Sequence, residues 1–140
     1  TWRAQLEAGF SYDASFGFTD RAGVRDGRFH PFFVSVGGRG PAADFVVLPL
    51  TIMDTVLFRR LRLSQADALE LCKTIVLEVE SCGGLLSLLW HNDCFNDPEY
   101  TEWQDVYCEL LSWLAVRRPW NATGEEIASW WRTSQALATT

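Results

Sequence analysis

The chain of 140 residues has few of the side chains that bind metals or nucleic acids. It contains two histidines, His30 and His91, and four widely spaced cysteines without a C-x-x-C pair. These spacings do not match a three-ligand metal site. Twelve Lys and Arg stand against 18 Asp and Glu, which gives a net charge of −6. Because contact with a phosphate backbone needs a basic face, the acidic balance argues against a nucleic-acid partner.

Long apolar runs are also missing. No segment approaches the roughly 20 apolar residues of a membrane-spanning helix, and Thr1-Trp2-Arg3 does not resemble a signal peptide. We therefore predict no membrane span. The only methionine is Met53, so we expect that Thr1 is not the natural translation start. The cysteine pattern does not resemble a disulfide framework, which favours reduced thiols and a cytoplasmic location.

What the chain has in abundance is apolar and aromatic residues. Hydrophobic residues make up 48% of it, with seven Trp and nine Phe, which predicts one folded domain over residues 1–140. Capping signals and helical periodicity predict four helices. They cover residues 2–8, ended by Gly9; residues 64–82, from Ser64-x-x-Asp67 to Gly83-Gly84; residues 98–116, opened by Pro98; and a last helix from Thr123-x-x-Glu126.

Apolar runs predict three strands, over residues 10–15, 45–50 and 85–90. Pro49 indicates that the second is an edge strand or ends irregularly. Residues 16–40 have no clear periodicity and predict a functional loop. The order β–loop–β–α–β–α–α is typical of the second half of an α/β sheet or barrel.

The third predicted strand ends abruptly on polar side chains. Residues 85–90 are apolar throughout, and His91, Asn92 and Asp93 follow at once. In parallel α/β proteins, catalytic groups gather where strands end at their carboxyl edge. A histidine there can exchange protons near neutral pH. Two interpretations stay open, a catalytic His91 and a histidine that only caps the strand.

Several segments in series resemble the C-terminal half of the polysaccharide deacetylase domain, the carbohydrate-esterase family that includes chitin deacetylases. The resemblance covers most of the chain in the right order. It rests on residues 6–15, Gly23-Val24-Arg25-Asp26-Gly27 with Pro31-Phe32, Leu48-Pro49-Leu50, Leu89-Trp90-His91-Asn92 and Trp130-Trp131-Arg132.

The resemblance implies a distorted (β/α) barrel with a mononuclear zinc or other divalent metal site. It implies that His91 is the late catalytic histidine, a general acid, and that Asp13 is the carboxylate that orients it. It also gives Arg25 a role in the substrate cleft. Within the same motif, Trp90 and Asn92 are predicted to bind the glycan. Two alternatives stay open: an ion pair between Arg25 and a neighbouring aspartate, and a packing role for Trp90.

The chemistry of amide hydrolysis fits these roles. An amine is a poor leaving group unless it is protonated, so an acid beside the nitrogen lowers the barrier. A carboxylate next to an imidazole favours the charged ring and fixes its orientation. A thiol nucleophile at Cys94 beside His91 is disfavoured, because no oxyanion hole is apparent.

One part of the family pattern is missing. The chain has no Asp-Asp pair followed by an H-x-x-x-H-like motif, so the resemblance implies that metal ligands and base are encoded before Thr1. We expect no metal cofactor in this chain and no activity of the chain alone. The complete protein would be a metal-dependent hydrolase of carbon–nitrogen, non-peptide bonds that removes N- or O-acetyl groups from a bacterial glycan. The alternative is a catalytically inactive module whose exposed sheet edge pairs with a second copy or with the missing N-terminal half.

Overall fold

Local signals set where the helices of the computed structural model begin and end. The structure describes residues 1–35, 45–96 and 98–138. Its four α-helices are α1 (Trp2–Glu7), α2 (Gln65–Ser81), α3 (Thr101–Arg117) and α4 (Gly124–Ala138). All four predicted helices are confirmed. Pro98 opens a separate 3₁₀ turn, Pro98–Tyr100, and does not belong to α3 itself.

Both predicted N-caps are formed, and the reciprocal bond that completes a capping box is present at Thr123. The Ser64 hydroxyl accepts a hydrogen bond from the Asp67 amide at 3.2 Å. The Thr123 hydroxyl accepts from the Glu126 amide at 3.3 Å, and the Glu126 carboxylate accepts from the Thr123 amide at 2.7 Å. Each bond satisfies a backbone group that the first helical turn leaves without an internal partner.

The end of α2 is a Schellman turn. Gly83 has a φ of +59°, its amide donates to the Glu80 carbonyl, and the Gly84 amide donates to the Val79 carbonyl. A glycine adopts this left-handed conformation without a steric penalty. The predicted stop at Gly83-Gly84 is therefore confirmed.

The strands form two sheets. They are β1 (Tyr12–Phe16), β2 (Phe32–Val34), β3 (Phe45–Pro49), β4 (Ile52–Met53) and β5 (Leu88–Leu89). The first sheet has the order β1-β3-β2, with β1 parallel and β2 antiparallel to β3. In the second sheet, β4 and β5 are parallel.

The first sheet corrects two predictions. β3 is its central strand and all its residues are buried, so the edge alternative for Pro49 is wrong. The predicted loop over residues 16–40 contains β2, because residues 32–34 pair with β3. The final part of that loop, residues 36–40, lies outside the described residues.

The predicted strand over residues 85–90 is reduced to Leu88–Leu89. Its first residue bonds elsewhere, since the Leu85 amide donates to the Phe29 carbonyl at 2.7 Å. The same loop also contacts the start of β4, where the Gly23 amide donates to the Thr51 carbonyl at 2.9 Å. The loop between β1 and β2 is thus bonded to both segments that lead into the second sheet.

α2 and α3 run parallel beside the second sheet. Lys73 pairs with Glu109 and, further along both helices, Glu80 pairs with Arg117. Apolar side chains of β4, of the π-helical turn Val56–Arg60, of α2 and of α3 form one core cluster: Ile52, Leu57, Ala68, Cys72, Ile75, Val76, Val79, Val106 and Leu110. The order β4-α2-β5-α3 with parallel strands and parallel helices is an α/β arrangement.

The described residues therefore confirm a mixed α/β chain. Within residues 1–35, 45–96 and 98–138, no barrel is identified. No helix in these ranges is long and apolar enough to cross a membrane.

Candidate active site

Asp54 and His91 follow the neighbouring strands β4 and β5. The strands are paired in register, Ile52 with Leu88 and Met53 with Leu89. Asp54 comes directly after β4, and His91 comes two residues after β5. Because the strands are parallel, their polar ends meet at the same edge of the sheet.

The Asp54 carboxylate binds His91 through both of its oxygens. Oδ1 lies 2.7 Å from the His91 ring nitrogen Nδ1, and Oδ2 accepts from the His91 amide at 2.7 Å. Oδ1 also accepts from the Thr55 amide at 2.6 Å. Asp54 is fully buried, whereas the His91 side chain is 44% exposed. A buried carboxylate thus holds one side of an imidazole whose other side faces solvent.

This arrangement fixes the role of each ring nitrogen. Two backbone amides donate to Asp54, which favours the ionised, acceptor-only carboxylate. Nδ1 of His91 is then the donor to Oδ1, and Nε2 is left to exchange a proton with a ligand. The pair has the parts of a general acid or base and of the carboxylate that orients it.

Cys94 completes the surroundings of the carboxylate. Its buried thiol lies 3.5 Å from Oδ2 of Asp54 and 3.7 Å from Oδ1 of Asp93. Burial raises the pKa of the Cys94 thiol to about 12, and the neighbouring carboxylates Asp54 and Asp93 contribute in the same direction. The thiol therefore stays protonated at neutral pH, which is unfavourable for a nucleophile.

Asp13 does not contact His91 in this structure, so the predicted pairing of these two residues is wrong. The buried Asp13 carboxylate accepts from Trp2 Nε1 at 3.2 Å, from Gln5 Nε2 at 2.9 Å and from Ser15 Oγ at 2.8 Å. It fastens α1 to β1. The carboxylate that orients His91 is Asp54, which the sequence shows only as the polar end of an apolar segment.

Arg25 is held by its own loop. Its Nη1 donates to the Gly17 carbonyl at 3.2 Å, and its guanidinium lies 4.7 Å from the centroid of the Phe16 ring. Nε is 3.9 Å from the Asp26 carboxylate, so the predicted alternative of an ion pair with a neighbouring aspartate is present. A role for Arg25 in substrate binding stays a prediction.

Trp90 and Asn92 flank His91 in different surroundings. The Trp90 ring packs against Phe58 and Tyr107, with centroids 6.1 and 5.2 Å apart, at the margin of the main core cluster. This supports the packing interpretation of Trp90. Asn92 is exposed at the start of a 3₁₀ turn, Asn92–Phe95. Glycan contacts by Trp90 and Asn92 stay predictions.

The donor set does not fit the metal centre that the family resemblance implies. In the part of the chain that the structure describes, no group of three His, Cys, Asp or Glu side chains could hold a metal ion. Asp54 already accepts from His91, Thr55 and Cys94, and the ring of His30 stacks on Trp131 at 6.1 Å. Among the described residues, the arrangement at Asp54 and His91 offers proton transfer by the His91 ring.

Comparison with known proteins adds no relative. No protein-family model matches the chain, and neither a curated protein nor a solved structure matches it.

Proposed function

We propose that this chain supplies the general acid of an amide hydrolase of the polysaccharide deacetylase type, with His91 as the acid and Asp54 as the carboxylate that orients it. The observation that carries the proposal is the 2.7 Å contact between His91 Nδ1 and Asp54 Oδ1. A protonated imidazole needs a fixed direction to act on a leaving group, and the buried carboxylate provides it.

The reaction is the removal of an acetyl group from an amino sugar in a glycan. Water adds to the acetyl carbonyl, and as the carbon–nitrogen bond of the tetrahedral intermediate breaks to leave acetate, the proton on Nε2 of His91 passes to the departing nitrogen, which leaves as a neutral amine. The contact between Asp54 Oδ1 and Nδ1 keeps the ring in one direction during this transfer. The His91 ring then takes up a proton from solvent, which its 44% exposed side chain permits.

The order β4-α2-β5-α3 supports the finer part of the proposal, that this chain forms part of a (β/α) barrel. Two successive parallel strands carry polar side chains at the same edge, as the strands of such barrels do. The metal ligands and the base of the complete hydrolase would lie outside the described residues.

The test measures acetate release from N-acetylglucosamine oligomers by the full-length gene product. We expect His91→Gln to lower kcat by roughly 100-fold or more, the usual contribution of a positioned acid. His30→Gln is the matched control, because it removes the other histidine, and we expect kcat close to wild type. A folded His91→Gln protein with undiminished kcat would overturn the assignment, as would a wild-type protein without hydrolase activity.

A second candidate function is the structural module with an open sheet edge. β1 is an edge strand, and beside it lies a cavity of about 390 Å³ lined by Gln5 and residues 9–14. Phe10 is 61% exposed there. An edge strand with an exposed aromatic neighbour is a surface on which a second copy can pair.

Sedimentation equilibrium of the chain distinguishes this candidate. Pairing through the β1 edge predicts a dimer that Phe10→Asp weakens. Val116→Asp, at a site that is 83% exposed, is the matched control and should leave the dimer unchanged. A chain that remains monomeric at high concentration, or a dimer that both substitutions weaken equally, would count against the module.

A further inference from the structure

We infer that Cys94 is a positioning residue for His91, acting through the Asp54 carboxylate. The catalytic meaning of this inference rests on the proposed function of His91, but the inference about geometry does not. It starts from the hydrogen bonds that Asp54 accepts.

Asp54 has four donors for the four lone-pair positions of a carboxylate. Oδ1 receives the Thr55 amide at 2.6 Å and the His91 ring at 2.7 Å. Oδ2 receives the His91 amide at 2.7 Å and the Cys94 thiol at 3.5 Å. A buried ionised carboxylate is stable only when its lone pairs are satisfied, because no water replaces a missing donor. Cys94 therefore fills the last position.

The single thiol proton has two carboxylates within reach. Asp93 is exposed, so solvent can reach its oxygens, whereas Asp54 is fully buried and depends on protein donors. The contact to Asp54 is also the shorter one, 3.5 Å against 3.7 Å. The thiol bond is therefore worth more at Asp54.

Cys94 and His91 hold Oδ2 from one short turn. The Cys94 amide donates to the His91 carbonyl at 3.3 Å, and the 3₁₀ turn Asn92–Phe95 follows His91 directly. With Oδ2 bound by the His91 amide and by the Cys94 thiol, the plane of the carboxylate cannot rotate freely. Oδ1 consequently stays directed at Nδ1 of the imidazole.

The first experiment records the nitrogen and proton NMR signals of the His91 ring in the wild-type chain, Cys94→Ala and Cys94→Ser. These signals report which ring nitrogen carries the proton and how fast the Nδ1 proton exchanges with water. We expect Cys94→Ala to speed this exchange by roughly threefold to tenfold, as expected for the loss of one hydrogen bond. Cys94→Ser keeps a donor and should restore slow exchange.

Two substitutions control for other effects. Cys72→Ala removes a buried thiol of the core cluster that does not donate to Asp54, and it should leave the His91 signals unchanged. Asp93→Ala removes the competing acceptor and should also leave them unchanged. The inference is overturned if Cys94→Ala leaves the ring signals as in wild type, or if Cys94→Ser and Cys94→Ala change them equally.

A kinetic measurement on the full-length gene product extends the test to catalysis. We expect Cys94→Ala to lower kcat by roughly fivefold with little change in KM, since a misdirected acid affects the chemical step. Altered ring signals without an effect on kcat would leave Cys94 as a positioning residue and count against His91 as the acid. Unaltered ring signals would overturn the role of Cys94 whatever the activity.

Discussion

Oδ1 of Asp54 and Nδ1 of His91 lie 2.7 Å apart although 37 positions separate the two residues in the chain. Parallel pairing of β4 and β5 brings them together, and α2 spans the sequence between them. The contact joins a fully buried carboxylate to a half-exposed imidazole. It is therefore both a structural bond and the candidate catalytic one.

Asp54→Asn should destabilise the fold. The asparagine side chain accepts through one oxygen only. Its NH₂ group would take the place of the second carboxylate oxygen and would face a donor that this oxygen satisfies in the wild type. We expect a loss of about 2–4 kcal/mol in the free energy of unfolding, the usual range for buried bonds to a charged group. Urea denaturation measures this free energy of unfolding. Asp93→Asn, at an exposed aspartate, should change the free energy of unfolding by less than about 0.5 kcal/mol. Equal effects at both positions would contradict the donor arrangement.

The cysteines should fall into two reactivity classes. Cys82 and Cys108 are exposed, whereas Cys72 and Cys94 are buried, and burial raises the pKa of each buried thiol to about 12. At pH 8 about one buried thiol in ten thousand would be ionised. We expect a thiol reagent to label two cysteines rapidly in the native chain and four in urea. Cys82→Ser should leave one rapid thiol, and rapid labelling of three or more would contradict the burial of Cys72 or Cys94.

The capping box of α4 predicts a pH dependence in the acid range. Hydrogen bonds from the Thr123 amide and hydroxyl lower the pKa of Glu126 below its ordinary value of 4.5. Because the pKa of Glu126 is lower in the folded state, its hydrogen bonds stabilise the fold above pH 4.5. This stabilisation is lost as the pH falls through the pKa of the folded state. The difference in melting temperature between pH 6 and pH 3 should therefore be larger for the wild type than for Glu126→Gln. An identical difference in both proteins would show that Glu126 does not contribute.

Removing the hydroxyl tests the same box at neutral pH. Thr123→Ala should cost about 1 kcal/mol, the typical effect of losing an N-cap side chain. Thr123→Ser retains the hydroxyl and should be close to wild type. Equal stability of the alanine and serine variants would mean that the hydroxyl does not cap α4.

Gly84→Ala should loosen the contact between α2 and the loop after β1. An added Cβ would lie 2.6 Å from the Phe29 carbonyl oxygen, where the Leu85 amide already donates. Because the clash is with backbone, we expect a loss of about 1–3 kcal/mol. Gly83→Ala meets no atom within 4 Å and carries only the strain of its φ of +59°, about 1 kcal/mol. A Gly84→Ala protein as stable as wild type would contradict the close approach.

The helix ends could be predicted from the sequence because their signals are local. Ser64 with Asp67, Thr123 with Glu126, and the glycines after α2 act within one turn of the backbone they satisfy. The partner of His91 is not local. Asp13 lies near the end of the first predicted strand, and Asp54 lies four residues after the second. Neither segment indicates which of these two strands is the neighbour of the third. β1 belongs to the first sheet and β4 to the second, and that distinction selects Asp54.

Strand lengths were predicted poorly for a related reason. Residues 85–90 are uniformly apolar. Their pattern does not distinguish a strand that pairs with a neighbouring strand from an extended segment that bonds to a loop. The Leu85 amide bonds to Phe29, which shortens β5, and residues 32–34 pair with β3 inside a predicted loop. Both outcomes depend on contacts between distant parts of the chain.

The loop between β1 and β2 has a consequence for local unfolding. β4 and β5 are each two residues long, and a ladder of this size opens easily by itself. The bonds from Gly23 to Thr51 and from Leu85 to Phe29 attach the loop to both sides of that ladder. Separating Asp54 from His91 therefore requires the loop to detach as well. We therefore expect the loop and the candidate active site to open to solvent together, although they are far apart in sequence.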